Sequence, residues 1–194
     1  LTGPRQFDIT RFNVTAPGFA LDASGSVTLN DKGAPGLVAK ARIPAMPVRQ
    51  LLRYWPLTVA PGARSWINDN IFAGDIGPLE AQSNFAPGML DQDIFPEDSL
   101  SLTFGMRNVE GNFVTGLTHA TQVNGTAILT GDTFRASFSS GRIGPLIARS
   151  GSALIPNLHE HCTVGEFNVH VDGGIPELMA LIDMKPLNYP TRFG

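Results

Sequence analysis

Leu100-Ser101-Leu102-Thr103-Phe104-Gly105-Met106-Arg107 alternates apolar and polar side chains without a break. Consecutive side chains of an extended strand point to opposite faces. Leu100, Leu102, Phe104 and Met106 therefore share one face, and Ser101, Thr103 and Arg107 share the other. The pattern predicts a strand with one apolar side, and the same reading extends outward in both directions.

Further period-two segments predict strands at 5–15, 22–30, 36–43, 122–131, 133–139, 145–155 and 163–172. Turns are expected at Pro17-Gly18, Asn30 to Gly33, Asn124-Gly125, Gly131-Asp132, Ser140-Gly141 and Asp172-Gly173-Gly174. Three short helices are expected between them. Val48, Leu51, Leu52 and Trp55 make one apolar stripe that starts after Pro47 and stops at Pro56. Ala63, Trp66, Ile67 and Ile71 make a second, ending near Gly74. Leu178, Leu181 and Ile182 make a third, between Pro176 and Pro186. The order strand, Pro, apolar helix, Pro occurs at Ile43–Pro56 and again at Val169–Pro186, a weak internal echo of stacked units.

Composition agrees with many short strands. The 194 residues include 21 Gly and 15 Pro, and only 16% are charged, against about 25% in ordinary soluble domains. The predicted fold class is mainly β, antiparallel strands with a few short helices. Residues 1–194 read as a single β-rich segment with a unit boundary near 56–74, and as a piece of a longer protein carrying the targeting signals. A net charge of −3 and no basic run interleaved with aromatics argue against nucleic acid as a partner. One cysteine, Cys162, excludes a disulfide framework within the chain. No apolar run approaches the 18 or more residues of a membrane-spanning helix.

Two stretches carry a resemblance. One is Leu52-Arg53-Tyr54-Trp55-Pro56 with Pro61-Gly62-Ala63-Arg64-Ser65-Trp66-Ile67 and Gly74. The other is Ile175-Pro176-Glu177-Leu178-Met179-Ala180-Leu181-Ile182-Asp183-Met184-Lys185-Pro186-Leu187. From about residue 20 to the end, the chain resembles the AsmA-like proteins of Gram-negative bacteria, in particular the large YhdP-type members, relatives of TamB. The resemblance implies a long antiparallel sheet curled into an open groove, anchored in the inner membrane and crossing the periplasm. It also implies phospholipid transport or support of outer-membrane assembly. It carries over no site residue, since the matched Trp and Pro positions read as fold markers.

The candidate lipid-groove residues are Leu100, Leu102, Phe104, Met106, Phe134, Phe138, Phe167, Val169 and Val171. A sheet with one apolar face must bury it against a second layer, and three short helices cover only part of such a face. An uncovered strip usually marks a binding surface. The same residues also suit a closed β-sandwich core, and the sequence leaves both open.

No enzymatic activity, metal or cofactor is expected. His159-Glu160-His161-Cys162 puts two ligand types on each side of a strand, short of the three or four that zinc takes, and His119 and His170 complete a set only if they fold nearby. Cys162 shows no thiol-enzyme setting. Asp91, Asp93, Glu97 and Asp98 fit neither a calcium loop nor a glycosidase pair and read as a solvated loop. Arg42, Arg49, Arg53 and Arg64 flank the first two helices, where arginine forks suit lipid phosphate but more commonly pair within a surface. The expected partners are a phospholipid or other acyl-chain lipid and further repeats of the parent chain, in the periplasm. The alternative is a structural module that pairs through its sheet edges with neighbouring repeats or envelope proteins.

Overall fold

A computed structural model describes residues 5–29, 31–55, 57, 61–92, 94–160 and 164–189. Strands β1 (Arg5–Ala16), β2 (Phe19–Leu29) and β3 (Gly36–Ile43) come first along the chain, followed by the two-residue β4 (Met46–Pro47) and helices α1 (Val48–Tyr54) and α2 (Pro61–Asn70). The long strand β5 (Ile71–Phe85) follows, with a single 3-10 turn at Met89–Asp91. The chain continues through β6 (Leu100–Gly111), β7 (Ala120–Thr130), β8 (Phe134–Ile143), β9 (Leu146–Ile155), β10 (Glu166–Asp172) and α3 (Ile175–Asp183).

All ten strands lie in one antiparallel sheet, in the order β1-β2-β3-β5-β6-β7-β8-β9-β10, with β4 beside β5. Each long strand thus pairs with its neighbours in sequence, and the edges β1 and β10 do not meet. The sheet is open and single, so the two-sheet sandwich is not what forms. Extra residues interrupt the pairing of β1 with β2, β5 with β6, β6 with β7, β7 with β8 and β9 with β10. Such bulges bend a strand and increase its twist.

The largest departure from expectation is β5. Its first residues, Ile71 to Gly74, read as the end of a helix, yet they begin a fifteen-residue strand. Gly74 is a bulge residue at φ +107°, pressed so close to β6 that a Cβ would sit 2.5 Å from the Cα of Val109. Two expected turns are also strand. Asn124-Gly125 lies inside β7, and Ser140-Gly141 lies inside β8, whose turn falls instead before Leu146. A Cβ at Gly125 would collide with the Ser137 carbonyl, so this glycine permits close strand approach rather than a reversal.

The helices differ in what they bury. α1 buries Val48, Leu51 and Leu52, three of its four predicted stripe residues, and Trp55 caps its end. In α2, Ile67 is half-buried but Ala63 and Trp66 are exposed, and Ile71 belongs to β5. α3 forms as expected but buries none of its side chains. The core gathers Val48, Ile71, Met106, Val109, Val123, Ala127, Ala136 and Ala153, with Ile67, Phe113 and Phe138 packed on it. Helices α1 and α2 cover it at β5, around Val48 and Ile71, and Ala127, Ala136 and Ala153 carry it on across β7, β8 and β9. Tyr54 extends this cover to the β1–β2 turn by stacking on Phe19 at 4.4 Å and donating its hydroxyl to the Pro17 carbonyl.

Candidate functional site

Residues paired across an antiparallel ladder lie on the same face, so the register traces one surface across the whole sheet. One row runs Ile43–Leu79–Phe104–Ala127–Ala136–Ala153–Phe167. The next runs Phe12–Ala23–Ala41–Ala81–Leu102–Leu129–Phe134–Ile155. A third runs Met106–Gly125–Phe138–Gly151–Val169, placing one phenylalanine ring between two glycines. Every position in these rows is apolar or glycine.

The opposite face is polar. Its matching row runs Asp22–Arg42–Glu80–Thr103–Ile128–Arg135–Leu154–Glu166. Arg42 and Glu80 pair at 3.8 Å, Asn13 bonds Asp22, and Lys40 lies opposite Gln82. These exposed contacts suit a wet surface and contribute little to stability.

The structure brings all nine groove candidates onto the apolar face, with unequal cover. Met106 is buried in the core. Leu100, Leu102, Phe104, Phe134, Phe138 and Val171 are half-buried. Phe167 and Val169, on the β10 edge, are 46% and 47% exposed. Sequence reading missed the other flank of the same face. Phe7 and Phe12 on β1 are 55% and 50% exposed, and Leu21, Val27, Leu37, Ile43 and Leu79 are half-buried. The signal was present in the alternation of β1, but alanine and glycine fill much of β2 and β3 and mute it.

The far end of the sheet is tied by carboxylates. Asp91 accepts the Ala34 backbone N–H at 2.7 Å, joining the loop after β5 to the loop after β2. Glu97 accepts the hydroxyls of Thr130 and Thr133, joining the loop before β6 to the β7–β8 turn. Those hydroxyls hold the Glu97 carboxyl below its ordinary range. Asp132 accepts the backbone N–H of His159 at 3.1 Å and lies 2.7 Å from its Nδ1. Asp91 and Glu97 are thus ties between loops as well as exposed groups. Asp98 is exposed, and Asp93 lies outside the described residues.

His159 is on a turn rather than on an extended strand, and the strand expected over 163–172 begins at Glu166. His161 and Cys162 lie outside the described residues. His119 faces Glu110 at 3.4 Å, and His170 faces Asp172 at 3.8 Å. Among the described residues no three His, Cys, Asp or Glu side chains gather as metal ligands. Three of the four arginines near the first helices have partners inside the fold. Arg42 meets Glu80, Arg49 donates to the Phe72 and Asn68 carbonyls, and Arg64 donates to the Leu52 carbonyl. No described helix is long and apolar enough to cross a membrane. Compared with known proteins, the chain matches no family model, no curated protein and no solved structure.

Proposed function

We propose that this chain is a non-enzymatic, lipid-binding segment of an AsmA-like envelope protein, holding acyl chains along the apolar face of its sheet. The parent protein is anchored in the inner membrane, works in the periplasm, and serves phospholipid transport or outer-membrane assembly. One observation supports the reading above the others. The apolar face crosses all nine long strands, its core runs only from β5 to β9, and both flanks stay open, with Phe7 and Phe12 on β1 and Phe167 and Val169 on β10 about half exposed. An open apolar strip of this kind is uncommon unless something binds it. Each methylene taken up from water contributes about 0.8 kcal/mol, so a single acyl chain supplies ample driving force.

The test is a fluorescence titration with a phospholipid labelled on its acyl chain. Saturable binding, weakened in Phe12→Asp and in Phe167→Asp, is the expected result. Both positions are exposed, so the fold should survive the change. Binding that is absent, or that ignores both substitutions, contradicts the proposal.

A further inference from the structure

On the polar face, β1, β2, β3 and β5 frame an open hollow of about 350 Å³. Two ladder rows line it, Ser24–Lys40–Gln82 and Asp22–Arg42–Glu80. On β1 the first row is completed by two residues instead of one. Pairing is regular at Ile9 with Gly25 and again at Phe12 with Ala23, so Thr10 and Arg11 both stand opposite Ser24. A bulge of this kind re-aims a side chain. Ile9 and Phe12 keep to the apolar face, and Thr10 and Arg11 between them both turn to the polar one, at the rim of the hollow.

The charges around the hollow are unequally satisfied. Asp22 accepts from the Asn13 amide, Glu80 meets Arg42 at 3.8 Å, and Asp8 further along β1 accepts from Gln6 at 2.7 Å. Each of these carboxylates thus has a partner. The two cations of the first row lack a counter-charge. Among the described residues Lys40 has no ion pair or hydrogen-bond partner, and Arg11 commits only its Nε, to the Asn13 side-chain oxygen at 2.8 Å. Neighbouring strands lie about 4.8 Å apart, so the backbones at Arg11 and Lys40 stand roughly 10 Å apart, across Ser24. Two long cationic side chains therefore flank a gap floored by a hydroxyl.

The ligand that suits this gap is a compact dianion. A carboxylate answers only one of the two cations, and an extended polyanion meets Asp22 and Glu80 in the adjoining row. A phosphate monoester carries a charge of about −1.5 to −2 at neutral pH and three acceptor oxygens. The guanidinium fork matches two of those oxygens, the ammonium acts as a point charge, and the Ser24 hydroxyl donates.

We infer that Arg11, Ser24 and Lys40 bind a phosphate monoester group on the polar face of the sheet. The site lies across the sheet from the apolar face and does not depend on acyl-chain binding.

An amide-resolved NMR titration of the 194-residue chain with inorganic phosphate tests it, in about 0.15 M sodium chloride to screen diffuse attraction. The expected result is saturable shifts gathered at Arg11, Ser24 and Lys40. Arg11→Ala and Lys40→Ala each weaken binding by about tenfold. Asp22→Asn removes a repelling carboxylate and tightens it. All three substituted side chains are exposed, and equal urea midpoints check that the variants fold. Two further probes separate the sources of the group. Glycerol 3-phosphate that binds, with vesicles of phosphatidic acid and phosphatidylcholine left unbound, identifies a soluble ester. Sedimentation with those vesicles, lost in the Arg11→Ala, Lys40→Ala double variant, identifies a lipid headgroup. No saturable phosphate binding, shifts scattered over the protein, or affinity unchanged in the Arg11 and Lys40 variants overturns the inference.

Discussion

Asn124 shows how much of this sheet rests on single polar side chains. Its Oδ1 accepts the Asn108 backbone N–H at 3.0 Å, and its Nδ2 donates to the Gln122 carbonyl and the Ser140 hydroxyl. Asn108 and Gln122 hold the left-handed backbone, at φ 50° and 53°, so Asn124 satisfies bulges on β6 and β7 and ties them to β8. Asn124→Ala is expected to cost about 1–3 kcal/mol, read from urea unfolding. Glu97 adds a pH dependence whose sign follows from its lowered pKa. The unfolded chain binds the proton first as pH falls, so stability rises with pH across this window. The contribution is complete above the ordinary value of 4.5 and disappears as pH falls through the lowered value of the folded state. Thermal unfolding against pH should show that slope, and Glu97→Gln should flatten it.

At the scale of elements, the cover of the apolar face divides the strands into core and flank. Leu146 opens β9 at 1% exposure, while Phe167 on β10 is nearly half exposed. Leu146→Ala is expected to cost about 2–5 kcal/mol, through lost burial and the cavity left behind. Phe167→Ser should stay within about 0.5 kcal/mol. Urea midpoints of the two proteins check the contrast. The same division explains what the sequence makes legible. Strict alternation exposed β6, and the apolar stripe exposed α1, because each pattern comes from one element packing on its own terms. β5 was hidden because Ile67 and Ile71, four apart, straddle the junction and mimic a helical face. Asn-Gly at 124–125 reads as a hairpin turn because local propensity favours one. Close packing of β7 on β8 is a tertiary fact, and it overrides that preference.

For the whole molecule, the mainly β, open sheet was legible, and so was the shared face of all nine groove candidates. The share of each under cover was not, since it depends on how distant strands and loops pack over that face, as Phe113 does on Phe138. Phe104 and Phe138 now belong beside the core, and the accessible surface moves to the edges, with Phe7, Phe12, Phe167 and Val169. Removing apolar side chains there should alter what the protein holds without altering how it folds. The most direct measurement is mass spectrometry of organic extracts from the purified chain and from a Phe12→Ser, Phe167→Ser, Val169→Ser variant. The account predicts phospholipid in the first, and marked depletion in a variant that unfolds at the same urea concentration. No lipid in either protein, or equal lipid in both, would contradict it.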